Sequence, residues 1–289
     1  MLLKYLKVFE FLQFFLIFFI ATNQTNGQRP SEISGFITNK SEEPIPYCLI
    51  INDRTQIGHL SDSLGRFVIS GIPSDKVIFK QLSFLTLETS IQSLQLDNRI
   101  QLVESPIALN KIEILPTRID DIERVGISRK SRIIKNYYLL KPGFGDGIAI
   151  INKRSIVKKI KSVNVKVGFK GSPILPFRIN LWSLNEDNFP ENILGNKDII
   201  IYPKDKLTWE NIDLIDQNIV FEGNGIGVSI EPLAPSTLKV KFSKKYTPLV
   251  GVYNCSENCV GLQNRKYALW FKPVGKFNCP AVYLELIDI

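Results

Sequence analysis

Apolar and polar residues alternate one by one over long stretches of the chain. In Val163-Asn164-Val165-Lys166-Val167-Gly168-Phe169 the valines and Phe169 share one face, and Asn164 and Lys166 take the other. Phe177, Ile179 and Leu181 alternate in the same way with Arg178, Asn180 and Trp182. So do Ile226, Val228 and Ile230 with the intervening Gly227, Ser229 and Glu231. Successive side chains of a strand point to opposite faces, so this period predicts antiparallel sheets covered on one side.

Upstream the pattern is shorter and denser. Strand-like runs fall at Ile33–Thr38, Tyr47–Asn52, Ile57–Leu60, Arg66–Ser70, Lys76–Phe84, Glu88–Ile91, Arg99–Leu102 and Ile107–Leu115. Turn formers separate them, notably Asn39-Lys40-Ser41, Asp62-Ser63-Leu64-Gly65 and Pro73-Ser74-Asp75. Many short strands at close spacing predict a sandwich. At Asp62 the carboxylate is placed to bond its own turn and Gly65 to take a left-handed conformation, which returns Phe67 to the core. Gly223-Asn224-Gly225-Ile226-Gly227 reads as a hairpin rather than a phosphate loop.

The first β region resembles the carboxypeptidase regulatory-like domain, a transthyretin-like Greek-key sandwich of exported Bacteroidetes proteins. The resemblance rests on Gly35-Phe36-Ile37, Pro44-Ile45-Pro46, Ser61-Asp62-Ser63-Leu64-Gly65-Arg66-Phe67 and Leu109-Asn110-Lys111-Ile112-Glu113-Ile114. The second region resembles the C-terminal half of uncharacterised proteins that carry the same first domain. Here the matching features are Gly143-Phe144-Gly145, Pro176-Phe177-Arg178-Ile179, Pro190 to Leu194, Trp209 with Asp213-Leu214, and Ser229-Ile230-Glu231. Pro232 departs from that pattern, where an aromatic is usual. The resemblance implies a jelly-roll-like sandwich and no known chemistry.

The expected fold class is therefore all-β: an N-terminal Greek-key transthyretin-like sandwich followed by a jelly-roll-like β-sandwich. The expected boundaries are a signal peptide over 1–27, the first sandwich over 32–116, a basic linker over 117–141 and the second sandwich over 142–289. Asp120 to Val125 reads as a short helix within the linker.

The leader reading rests on Lys4 and Lys7, the apolar run Phe11 to Ala21, and the small Thr25 and Gly27 before Gln28. That run is shorter than the roughly 20 residues that span a bilayer. The expected address is export, to the periplasm, the outer membrane surface or beyond. An oxidising compartment permits a disulfide among Cys255, Cys259 and Cys279, with the pairing left open. Cys48, in a strand-like run, reads as a buried thiol.

Charge is concentrated. Residues 111–170 hold fifteen basic and five acidic residues, a local excess of ten. Such a segment can attract an anionic surface such as lipopolysaccharide, although a solvated linker and strand face account for it as well. No aromatic-basic stacking motif points to nucleic acid.

Candidate chemistry is sparse. The single histidine, His59, stands in a strand-like run, so a Ser-His-Asp or Cys-His system would have to use it. Zinc closure fails for want of ligands, and no metal or other cofactor is expected. Asp187, Glu191, Asp213 and Glu231 are acids with nothing to fix a glycosidase-like separation. The expected role is non-catalytic, a docking module for an envelope protein or glycan. The alternative is a carbohydrate-binding module built on the outer face of the second sandwich, with Arg178, Trp182, Trp209 and Glu231 as ligand-binding residues.

Overall fold

The computed structural model describes residues 29–105, 121–127, 133–139, 144–171, 174–238, 247–255, 258–265, 269–271 and 278–289. The leader-like segment and the run Ile107–Leu115 lie outside these residues. The protein is all-β, built from two sandwiches with separate cores. No helix among the described residues is long and apolar enough to cross a membrane.

The N-terminal sandwich comprises β1 (Ser31–Thr38), β2 (Leu49–Asn52), β3 (Ile57–Leu60), β4 (Arg66–Gly71), β5 (Lys76–Lys80), β6 (Leu87–Ser90), α1 (Ile91–Leu96) and β7 (Arg99–Gln101). Three strands in the order β4-β1-β7 face four in the order β3-β2-β5-β6. Ile33, Ile37, Phe67 and Ile69 from the first sheet meet Ile50, Val77 and Phe79 from the second. The α1 turn replaces the end of the expected Glu88–Ile91 strand. Ser90 caps it by accepting from the Ser93 amide, and Ile91 and Leu94 seal the core. At the β3–β4 corner Asp62 Oδ1 accepts from the Leu64 and Arg66 amides at 2.9 Å each. Gly65 sits at φ 71°, where a Cβ would come within 2.4 Å of the Ile37 carbonyl oxygen. Glycine is therefore required there.

The second sandwich begins earlier than the hydrophobic pattern suggests. Its strands are β8 (Glu123–Gly126), β9 (Ile133–Leu139), β10 (Phe144–Ile151), β11 (Lys158–Lys170), β12 (Phe177–Leu184), β13 (Pro190–Ile201), β14 (Thr208–Asp213) and β15 (Val220–Phe221). After these come β16 (Gly225–Pro232), β17 (Thr247–Asn254), β18 (Cys259–Arg265), β19 (Leu269–Phe271), β20 (Asn278–Pro280) and β21 (Val282–Ile287). One sheet runs β13-β12-β16-β10-β18-β19, and the other is centred on β11, β17 and β21.

Two strands fall inside the stretch expected to be a linker. β8 pairs antiparallel with β21, and β9 pairs with β17. The expected helix at Asp120–Val125 is thus corrected to a strand from Glu123. Arg124 of that strand reaches Glu285 at 2.8 Å, and sheet pairing overrides a weak local helix preference. The glycine-rich Gly223–Gly227 segment is also not a hairpin. It carries the chain from β15, paired with β11 in one sheet, to β16, paired with β10 and β12 in the other.

The disulfide joins Cys255, just after β17, to Cys279 on the neighbouring β20. Cys259 is buried on β18 in the opposite sheet, and Cys48 is buried in the N-terminal sandwich. Burial pushes the Cys48 thiol up to about 12, which keeps it protonated and inert.

The two sandwiches are fastened together. Tyr47 and Leu60 of the first pack against Leu233 of the second. The Ser236 amide and hydroxyl both donate to the Leu60 carbonyl, at 2.8 and 3.0 Å. The same hydroxyl accepts from the Val68 amide at 2.9 Å.

Candidate functional site

The core stripe of β12 is Phe177, Ile179 and Leu181, all essentially inaccessible. Its alternate residues point away from that core, as period two requires. The outer face was expected to meet solvent. Instead Arg178, Asn180, Ser229 and Glu231 are all buried, Arg178 against the Tyr47 carbonyl of the N-terminal sandwich and Ser229 beneath the Trp182 indole. Contacts between elements far apart in the chain leave no mark in local alternation.

The docking is incomplete, and a cleft of about 580 Å³ remains between the units. Its floor is formed by Arg178, Asn180 and Trp182 on β12, Glu231 on β16, and Glu191, Ile193 and Asp198 on β13. Its wall is the end of β5 and the following loop from Gln81 to Phe84, with Leu49 and Leu60.

Arg178 organises this region. Its Nη2 donates to the Tyr47 carbonyl and to Asp198 Oδ2, both at 2.9 Å, and more weakly to Gln81 Oε1 at 3.4 Å. Gln81 Nε2 closes the ring by donating to the same Asp198 oxygen at 2.6 Å. Ser83 Oγ adds a bond to the Asn196 carbonyl at 3.0 Å. Residues from both sandwiches thus share one buried polar network.

Trp182 is set by Ser229, whose Oγ accepts from the indole Nε1 at 3.0 Å. Gly227 stands opposite Trp182 in the β12–β16 register, and a Cβ there would approach the Trp182 Cβ to 3.3 Å. Glu231 stands opposite Arg178 in the same register. Burial raises its carboxyl above the ordinary range, and the Arg178 charge only partly opposes this.

Three of the four expected ligand-binding residues, Arg178, Trp182 and Glu231, therefore line one cleft. Trp209 does not line it. It lies on β14, which pairs with β11 in the other sheet. There its ring packs beside Tyr283 at 5.1 Å and Tyr253 at 6.5 Å between centroids. Asp198 and Gln81 were missed. Asp198 reads as one polar residue in the Asn196-Lys197-Asp198 run, and Gln81 belongs to a different sandwich. No sequence signal joins them.

His59 is half-buried on β3 opposite Ile50, and burial lowers its pKa, so it is neutral at pH 7. In the basic stretch, Lys158 pairs with Asp288 at 2.8 Å, Lys159 bonds Asn218 at 2.7 Å, and Arg154 pairs with Glu123. Among the described residues no three His, Cys, Asp or Glu side chains converge as a metal site would need.

No family model matches the chain, and no curated protein matches it. Among solved structures, the chain is similar to one described as "Structural basis for the promiscuous specificity of the carbohydrate-binding modules from the beta-sandwich super family". The identity is 12% over 90% of this chain and 98% of that chain, with a TM-score of 0.13. A score that low marks no shared topology, so the likeness informs neither fold nor function.

Proposed function

We propose that this is a non-catalytic, exported envelope protein that binds a saccharide in the cleft between its two sandwiches. The observation that carries the reading is the convergence of Trp182, Arg178, Asn180 and Glu231 on the floor of one concavity. Its volume lies within the roughly 300–1,000 Å³ usual for small-ligand sites. An indole offers apolar area to the C–H face of a sugar ring. Arg178, Asn180 and Glu231 offer donors and acceptors to its hydroxyls.

A partner protein needs an open surface, and the N-terminal sandwich partly covers the outer face of β12, where Arg178 bonds the Tyr47 carbonyl. That favours a small ligand over a docked domain. The leader-like first residues and the Cys255–Cys279 disulfide support export, since disulfides persist in oxidising compartments. The Gly35 and Asp62–Phe67 motifs support placing the first sandwich among carboxypeptidase regulatory-like domains.

A glycan array followed by calorimetry on the best binder tests the reading. Trp182→Ala should weaken binding by at least about tenfold, the loss of one stacked ring and its buried area. Trp209→Ala should leave affinity unchanged. Silence across the array, or equal losses from the two variants, would refute the cleft.

A further inference from the structure

The floor of the cleft holds a buried carboxyl group without a hydrogen-bond donor among the described residues. Glu231 is 7% exposed, and among the described residues no group donates a hydrogen bond to it. In an ordinary cross-strand pair its register partner Arg178 would do so. Here the Arg178 Nη2 is turned to Tyr47 and Asp198, and its Nε is buried without a partner. Asp198 in turn is satisfied by Arg178 and Gln81.

The backbone of β10 leaves Glu231 room. Gly145 lies beside it, and a Cβ at that position would come within 2.9 Å of Glu231 Cγ. The charged residues lining the cleft are Lys80, Arg178, Glu191, Asp198 and Glu231. With Arg178 paired to Asp198, two acids remain against one cation, and Lys80 is at the exposed end of β5. An isolated buried carboxylate is costly to keep, and a cation with several N–H donors is what relieves it.

We infer that the cleft selects saccharides bearing a free, protonated amine, a hexosamine seated with its ammonium on Glu231. The inference rests on the saccharide reading of the same cleft and narrows it to one sugar class. An ammonium supplies three donors and the missing charge, whereas an N-acetyl group supplies one N–H and no charge. Arg178 remains fixed by the first sandwich and does not compete for the site.

Calorimetry on the intact chain at about pH 6, where the amine is protonated, decides the matter. The probes are a glucosamine trisaccharide, its fully N-acetylated form and cellotriose. The glucosamine form should bind at least about tenfold more tightly than either of the others, as a charge-assisted bond predicts. Glu231→Gln should bring it down to their level. Equal affinity for all three on the intact chain overturns amine selection while the saccharide reading stands, and it needs no variant to fold. A preference that survives in Glu231→Gln also overturns it. Failure of all three probes and of the wider array removes the saccharide reading itself.

Discussion

Replacing Arg178 by Met keeps an apolar stem of similar length and removes the guanidinium that joins the two sandwiches. The side chain is 10% exposed and its Asp198 partner 19%, so the pair is largely withdrawn from water. The variant loses the 2.9 Å bonds to the Tyr47 carbonyl and to Asp198, and leaves Asp198 with Gln81 alone. Removing one partner of a buried pair costs about 3–5 kcal/mol. Partial exposure of Asp198 puts the expected loss near the lower end, about 3 kcal/mol. Adding Asp198→Asn removes the stranded charge, so the double variant should recover part of that loss rather than add to it. Urea unfolding followed by tryptophan fluorescence reads both effects. It should also show a broader transition as the sandwiches uncouple. A loss below about 1 kcal/mol, or strict additivity in the double variant, would refute the idea that this network fastens the units.

Two further outcomes test the fold itself. Burial pushes the Asp146 carboxyl up from 3.8 to about 6, with a single 3.3 Å bond from Gln263 opposing it. An acid whose pKa is raised on folding favours the native state only while protonated. Its contribution therefore falls as pH rises from about 4 to about 6 and is flat above, a change of about 3 kcal/mol. The stability difference between wild type and Asp146→Asn, measured by urea titration from pH 4 to pH 7, should grow in that window. A constant difference would contradict it. Gly65→Ala should lower the melting temperature by several degrees, because the left-handed backbone and the Ile37 carbonyl both resist a Cβ at a cost of at least about 2 kcal/mol. An unchanged melting curve would mean that the turn tolerates another conformation.

The all-β class, the strand faces and the Asp62 turn were legible because each is written in adjacent residues. Alternation places Val163, Val165 and Val167 of β11, Phe177, Ile179 and Leu181 of β12, and Ile226, Val228 and Ile230 of β16 in one core, and Asp62 fixes its turn through amides two and four positions on. What escaped is set at long range. The six residues of α1 are too few to show a helical period, and β8 carries only four, so neither stands out in the sequence. The cleft depends on Arg178 meeting Tyr47 and Gln81, which lie 131 and 97 positions away. Trp209 and Trp182 look alike as isolated aromatics, and only the pairing of β14 with β11 separates them. Asp198 acquires its role solely through that distant docking.

The short reach of Ser236 into the first sandwich has a consequence for how the chain avoids its own kind. β3 and β4 are the outermost strands of their sheets on that side, and their unpaired amides and carbonyls are a template on which another copy can add a strand. One serine occupies the Val68 amide of β4 and the Leu60 carbonyl of β3 at once. The C-terminal half thus acts as a stopper at both margins, and the first sandwich severed from it would be left open to polymerise edge to edge.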